Sequence, residues 1–346
     1  MDVRNEKTES EKRSLVPLAI IILCAFLAAA VAFYVFLRIY NRYSLVYAVN
    51  EDGKTCTVVE ITERSVAPFI YFPGELKMPE TIGGGFKVTA IGAGAIKNNS
   101  KIKSVLLPEG VVLVDEGAFE GCINLESIRA EGLSAVEAGA FRGCISLSEV
   151  KLGEKLTSIG AGAFEGCASL TRADIPASVK TVGAGAFRGC DSLVSVSFAG
   201  TGAELGAEAF WGCASLAELK LGGVSSLGEY AFWGCAALTE VSLGSVKSIG
   251  EGAFSRCASL EGVSLENGTE FIGDKAFSGC AALESVSLPA GLRGVGECAF
   301  EKCASLKSLR YLGSAEQWEN VICGEYWLDG SSVAHLVYNG GELALE

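Results

Sequence analysis

Apolar residues recur along this chain with a period of 22 or 23 residues. Each period contains an Ala-Phe pair, a cysteine three residues after the phenylalanine, and a leucine three residues after that cysteine. A unit of this size cannot bury its own apolar face, so a regular period predicts units stacked into a solenoid. The phenylalanines are Phe119, Phe141, Phe164, Phe187, Phe210, Phe232, Phe254, Phe277 and Phe300, and Ile96 marks a tenth, degenerate copy.

The copy that begins at Phe164 shows the pattern within one unit. Phe164 and Cys167 are apolar at a spacing of three, which is typical of a helical turn. Ala173 and Ile175 then alternate with polar residues as in a β-strand, and Pro176 ends that strand because it has no N–H to donate. Each unit therefore predicts a helical turn, a strand, a corner and a second short strand.

The unit resembles the BspA-like leucine-rich repeats of bacterial and protozoan surface proteins. Their pattern is close to I-G-x-x-A-F-x-x-C-x-x-L-x-x-[VI]-x-[LI]-P, and residues 159–176 match it almost residue for residue. The resemblance covers about residues 45–339. It implies an α/β leucine-rich-repeat solenoid, a parallel β-sheet with short helical turns, of about ten repeats. It also implies adhesion to a protein or a glycan.

The repeats are predicted to occupy residues 91–310, with a terminal cap on each side. Residues 44–90 contain two strand-like segments joined through Asp52-Gly53, a strong hairpin signal, and such a hairpin could cover the open end of a solenoid. Residues 311–346 depart from the repeat, and we expect Trp318 and Trp327 to cover the last turn.

The first 40 residues predict a membrane anchor. Residues 1–13 form a short charged tail, and no charge occurs in the 24 residues of Ser14–Leu37, about 36 Å as a helix. We therefore predict a transmembrane signal-anchor helix over 14–40, because the apolar core of a cleaved signal peptide is shorter. Cleavage near residues 28–30 is the alternative. Four basic residues precede the span and two follow it closely, which favours a cytoplasmic N-terminus and extracellular repeats.

The charge and the motifs of the sequence argue against several classes of function. The net charge of the chain is −13. Residues 1–43 contribute +2, and residues 44–346, with 22 Lys/Arg and 37 Asp/Glu, contribute −15. A nucleic-acid partner is therefore not expected. The chain has a single histidine, His335, and no nucleophile elbow or phosphate-binding loop. We expect no enzyme activity, no cofactor and no metal site.

The nine repeat cysteines allow two interpretations. Stacked cysteines lie close enough for disulfides, and an extracellular compartment would favour them. However, all nine would point inward in parallel, where a cysteine packs as a small hydrophobe, so the pattern favours buried free thiols. The cysteines are Cys122, Cys144, Cys167, Cys190, Cys213, Cys235, Cys257, Cys280 and Cys303.

Two surfaces are candidates for binding a partner. One is the outward face of the predicted parallel strands, where solenoids usually bind, although a solvated face without a partner explains its composition equally well. Its charged residues are Glu149, Lys151, Arg172, Asp174, Glu218, Lys220 and Glu240. The other is the position after each repeat phenylalanine, which is mostly polar but holds Trp211 and Trp233 on adjacent units, with Tyr230 nearby. Adjacent exposed aromatics are typical interface anchors; packing between neighbouring turns is the alternative.

We therefore expect a non-enzymatic, membrane-anchored surface protein that binds a protein or glycan. A structural role in the cell's own envelope and an intracellular repeat scaffold are the alternatives. An accessory or sensor role acting through the N-terminal tail is disfavoured, because 13 residues are too few for a signalling domain.

Overall fold

A computed structural model describes residues 43–63, 74–265, 268–333, 335–338 and 340–345. The predicted tail 1–13 and the predicted membrane span 14–40 lie outside these residues. Within the described part of the chain, no helix has both the length and the apolar character that crossing a bilayer requires.

The chain divides into two compact units, Tyr47–Glu60 with Pro73–Glu346, and Met1–Val46 with Ile61–Phe72. Of the second unit, the structure describes residues 43–46 and 61–63, which are the start of one strand and the end of the next. The first unit is the solenoid.

In chain order the strands are β1 (Tyr43–Val49), β2 (Thr55–Glu63), β3 (Glu75–Lys77), β4 (Thr81–Ile82), β5 (Phe86–Ile91), β6 (Ser104–Leu106), β7 (Leu113–Val114), β8 (Ser127–Ala130), β9 (Ala135–Val136), β10 (Glu149–Leu152), β11 (Ser158–Ile159), β12 (Arg172–Ile175), β13 (Thr181–Val182), β14 (Ser195–Phe198), β15 (Ala203–Leu205), β16 (Glu218–Lys220), β17 (Val224–Leu227), β18 (Glu240–Ser242), β19 (Ser248–Ile249), β20 (Gly262–Ser264), β21 (Phe271–Ile272), β22 (Ser285–Leu288), β23 (Gly294–Val295), β24 (Ser308–Tyr311), β25 (Ile322–Cys323), β26 (His335–Tyr338) and β27 (Gly341–Ala344).

Each turn of the solenoid contributes one strand to each of two parallel arrays. The short second strands pair in the order β5, β7, β9 and onward to β25, one per turn, so that Ile159 pairs with Val182 and Val182 with Leu205. The longer strands form a four-stranded sheet, β3-β6-β8-β10, and a nine-stranded sheet that runs from β12 to β27, in which the last pair, β26 and β27, is antiparallel. Residues one period apart therefore lie side by side, and there are about 11 turns where about ten were predicted.

The predicted solenoid is confirmed, but the predicted helical turns and the α/β class are wrong. The structure describes one helix, Ala315–Trp318. The Phe164 amide donates to the Ala186 carbonyl in the next turn at 2.7 Å, whereas an α-helix would direct it to the carbonyl four residues earlier. Gly166, with φ of 69°, then reverses the chain. The segment from Phe to Leu in each unit is consequently a series of turns bonded to the neighbouring unit.

A column of stacked phenylalanine rings forms the centre of the solenoid. Successive rings from Phe119 to Phe300 lie 5.0–5.4 Å apart with interplanar angles of 1–10°. All nine rings are buried, as are the alanine before each phenylalanine and the cysteine and leucine after it. Burial of one phenylalanine contributes about 2–3 kcal/mol, and stacking contributes about 1 kcal/mol more. The column thus holds each turn to the next.

The nine repeat cysteines form a second column, here called the thiol ladder, and all are free thiols. Each Sγ–H donates to a main-chain carbonyl of the preceding turn at 3.1–3.4 Å. The Phe164 carbonyl, for example, accepts both the Cys190 thiol at 3.2 Å and the Cys167 amide at 3.1 Å. The thiols thus satisfy the second lone pair of buried carbonyls between turns.

We expect these thiols to be unreactive in the folded protein, because all nine are inaccessible to a reagent. The thiolate is the nucleophile, and burial raises the pKa of ladder thiols such as Cys167 and Cys190. Among the cysteines that the structure describes, Cys298 and Cys323 are partly exposed. Treatment with a thiol reagent at about pH 8 should modify these two slowly and the other ten described cysteines only after denaturation, as located by peptide mass spectrometry. A Cys298→Ser/Cys323→Ser variant is the control, and rapid native labelling of Cys190 would contradict the expectation.

The described solenoid has a turn between two strands near its start and two packed tryptophans near its end, as the sequence indicated. The predicted domain boundaries stay predictions. Between β1 and β2, the Asn50 amide donates to the Thr55 carbonyl at 2.9 Å, and Gly53 has φ of 60°. At the other end, Trp318 packs edge-on against Tyr311 with ring centroids 5.1 Å apart, and Trp327 packs edge-on against the last phenylalanine of the column at 6.3 Å.

Candidate binding surface

The residue after each repeat phenylalanine forms a column at one corner of the solenoid. Most members are at least partly exposed, and several contact a neighbouring turn. Glu120 pairs with Lys97 at 2.8 Å and with Arg142 at 3.6 Å, and Ser278 donates to Glu301 at 3.2 Å. Such partly exposed pairs each contribute about 0–1 kcal/mol. The column is therefore a polar corner with little influence on stability, except where it holds tryptophan.

Trp211 and Trp233 stack face to face in this column. Their ring centroids are 4.8 Å apart and the interplanar angle is 3°. Both side chains are half-buried. The packing between turns that the sequence allowed is thus present, and part of each indole also remains accessible.

Arginines cover the outer faces of this indole pair. The Arg188 guanidinium carbon lies 4.5 Å from the Trp211 ring centroid, and that of Arg256 lies 5.2 Å from the Trp233 centroid. Because the four residues follow one another along successive turns, each indole has one face against the other indole and one against a guanidinium. We call Arg188, Trp211, Trp233 and Arg256 the tryptophan stack.

The two arginines of the stack differ in how they are held. Arg188 forms an ion pair with Glu208, with Nη1 2.5 Å from the carboxylate oxygen. Arg256 is exposed, and the described residues provide no carboxylate paired with it. Neither arginine was identified from the sequence, because the direction of a long side chain is not encoded in a repeat period.

Tyr230 lies beside the stack in a strained backbone conformation. Its φ is 55° where most turns have glycine, and Glu208 has φ of 57° at the same position one turn earlier. The tyrosine hydroxyl donates to the Glu251 carboxylate, and this hydrogen bond raises the pKa of Tyr230 to about 12. Its ring covers Gly252, where an added Cβ would lie 2.4 Å from ring carbons. The replacement of glycine by a bulky residue was the sequence signal for this site.

The charged residues predicted on the strand face are all exposed, and they lie on two sheets. Glu149 and Lys151 lie on β10 and Arg172 and Asp174 on β12, and these two strands belong to different sheets. Arg172 pairs with Asp174 of its own strand at 2.7 Å. Glu218 and Lys220 on β16 and Glu240 on β18 are exposed likewise.

Lys151 pairs with Glu131 at 2.7 Å, and the Ser197 hydroxyl donates to Asp174 at 2.7 Å. For the described residues, the structure gives no contact between the strand-face charges and the tryptophan stack. The same part of the chain contains no group of three His, Cys, Asp or Glu side chains placed to hold a metal ion.

Comparison with known protein families identifies the repeats. The family profile described as "BspA type Leucine rich repeat region (6 copies)" matches residues 89–217 and 203–322. No curated protein is significantly similar to the sequence.

Similar solved structures include a Treponema pallidum leucine-rich-repeat protein with 28% identity, covering 56% of this chain and 87% of that one, with a TM-score of 0.49. A Bacteroides ovatus leucine-rich-repeat protein is 22% identical over 83% of this chain and 90% of that one, with a TM-score of 0.42. The pneumococcal vaccine antigen PcpA is 21% identical over 85% and 86%, also with a TM-score of 0.42. Because the family profile covers well over half of its residues, the chain belongs to the BspA-type leucine-rich-repeat family.

Proposed function

We propose that this chain is a membrane-anchored binding protein that displays its solenoid outside the cell and contacts a protein or glycan partner without catalysing a reaction. The observation that carries the proposal is a family match across the repeats together with aromatic and arginine side chains exposed at one corner of them. Trp, Tyr and Arg are the residues that dominate binding energy at protein interfaces.

Membrane anchoring through residues 14–40 and the extracellular orientation rest on the uncharged segment and on the flanking basic residues. The net charge of −15 over residues 44–346 favours solubility of the displayed domain and disfavours nucleic acid as the partner. A role in adhesion is consistent with this arrangement, and so is a scaffold in the cell's own envelope.

Immobilising the full chain in detergent and identifying the proteins that it retains distinguishes adhesion from the scaffold role. Retention of purified host matrix proteins supports adhesion, whereas retention of proteins from the producing cell's own envelope fraction supports the scaffold. A Trp211→Ala/Trp233→Ala variant should lose about ten-fold or more in affinity for the retained partner if the stack is the contact site. A Glu149→Ala/Lys151→Ala variant is the matched control on the strand face. Unchanged affinity of the tryptophan variant would show that the stack is not part of the binding surface.

A further inference from the structure

The covered faces of the indoles restrict what the tryptophan stack can bind. A sugar ring binds a tryptophan through the flat face of the indole, because its C–H groups lie against the π-system. Here one face of each ring lies against the other ring at 4.8 Å, and the remaining faces lie under Arg188 and Arg256. A ligand therefore meets indole edges and guanidinium groups, which is an arrangement typical of protein–protein contacts.

Arg256 has a left-handed backbone conformation, which is unfavourable for a residue with a side chain. Its φ is 61°, and the second residue after the phenylalanine is glycine in most turns, namely Gly121, Gly143, Gly166, Gly189, Gly212, Gly234 and Gly279. Side chains with a Cβ are disfavoured by about 1–2 kcal/mol in this left-handed region. Lys302, with φ of 60°, occupies the equivalent position two turns later, and it pairs with Glu301 at 2.6 Å.

The Arg256 guanidinium lies over the Trp233 ring, and the side chain is exposed to solvent. A guanidinium can stack on an aromatic face through its flat surface, and its N–H groups then remain available at the edge. Arg188 directs such a group at Glu208, whereas no carboxylate of the described residues pairs with Arg256. The exposed end of the stack thus carries a guanidinium without a carboxylate partner among the described residues, and the natural counterpart of a guanidinium is a carboxylate bound through two hydrogen bonds.

We propose that Arg256, supported by the Trp233 ring, binds an acidic side chain of a protein partner, with the indole edges and Tyr230 against the partner's neighbouring apolar residues. This assignment rests on the proposed binding function and names the partner chemistry of the same site. The acidic solenoid repels an acidic partner at long range, but at physiological ionic strength this repulsion is screened beyond about 8 Å, and the contact itself is made at hydrogen-bond distance.

The test uses the full chain in detergent and two blocked peptides, one with two glutamates flanked by leucines and one with glutamines in their place. Isothermal titration calorimetry should show saturable binding of the glutamate peptide, about ten-fold tighter than that of the glutamine peptide. Arg256→Gly should lose about ten-fold in affinity, and Arg256→Lys, which keeps the charge without the planar fork, should lose part of it. Lys302→Gly removes a charge at the equivalent strained position and should leave the affinity unchanged.

Folding does not confound this comparison. Glycine suits the positive φ of Arg256, so Arg256→Gly should unfold at a denaturant concentration no lower than that of the wild type. Equal affinity of Arg256→Gly and wild type, absence of saturable glutamate-peptide binding, or displacement of the peptide by sialyllactose would overturn the proposal. Retention of a surface partner by Arg256→Gly at full affinity would overturn it as well, while leaving the proposed binding function in place at another surface.

Discussion

Raising the pH from about 9 to about 12 is expected to lower the free energy of unfolding of the solenoid steeply, because at least four thiols of the ladder keep their protons in this range only in the folded chain. Burial raises the pKa of Cys167, Cys213, Cys257 and Cys303 from 9.0 to about 12. Below the unfolded pKa, folded and unfolded chains bind the same thiol protons. Between the two values the unfolded chain loses protons that the folded chain retains, so the free energy of unfolding falls as the pH rises.

Each thiol lowers the free energy of unfolding by about 1 kcal/mol per pH unit in this window. Four thiols together contribute about 4–5 kcal/mol per pH unit, which is comparable to the whole stability of an ordinary domain. The effect should appear in urea titrations of the reduced protein at a series of pH values, followed by circular dichroism.

Cys213→Ala is the matched control for the thiol ladder. It removes one titrating group, so the pH dependence of its free energy of unfolding should be smaller than that of the wild type by about 1 kcal/mol per pH unit. Ionisation of lysine and tyrosine is common to both proteins and cancels in the comparison. Identical pH dependences for the two proteins would show that the ladder does not carry the effect.

Phe210→Ala is expected to lower the free energy of unfolding by about 3–5 kcal/mol. The Phe210 ring is fully buried and stacks between Phe187 at 5.0 Å and Phe232 at 5.2 Å, with the edge of Phe198 at 6.5 Å. Its removal leaves a cavity in the column between the neighbouring rings of Phe187 and Phe232. Because each turn of a solenoid is stabilised by its neighbours, hydrogen exchange should accelerate most in the turns adjacent to residue 210.

Phe271→Ala supplies the comparison for this variant, since the Phe271 side chain is 47% exposed and lies outside the column. We expect it to cost about 1 kcal/mol or less. Denaturant unfolding of both variants and the wild type measures the difference. Similar losses for the two substitutions would mean that the stacked column does not hold the turns together.

The repeat period predicted the register of the solenoid, because residues 22 or 23 positions apart lie side by side on adjacent turns. The local conformation between Phe164 and Leu170 was not predictable from apolar spacing, since a helix and a bent turn both place residues three apart on one side. The amide of Phe164 settles the difference by donating to the next turn, a partner that exists only after stacking.

The candidate site was partly visible in the sequence. Tryptophans on adjacent units and a tyrosine in place of glycine marked the corner, because the repeat pattern assigns polar residues and glycine to these positions. The guanidinium groups over the ring faces were not predictable, since Arg256 lies one residue off the column and reaches Trp233 through its side-chain conformation. Consequently, the sequence alone allowed sugar stacking, and the geometry favours a protein contact.

Protease treatment of intact cells that express the full chain tests the proposed surface display most directly. A membrane-impermeant protease is added, and the repeats are followed with an antibody against the solenoid. We predict loss of the repeat signal, while a cytoplasmic control protein remains intact. Full protection of the repeats, in cells where a known surface protein is cleaved, would place the solenoid inside the cell and contradict the account.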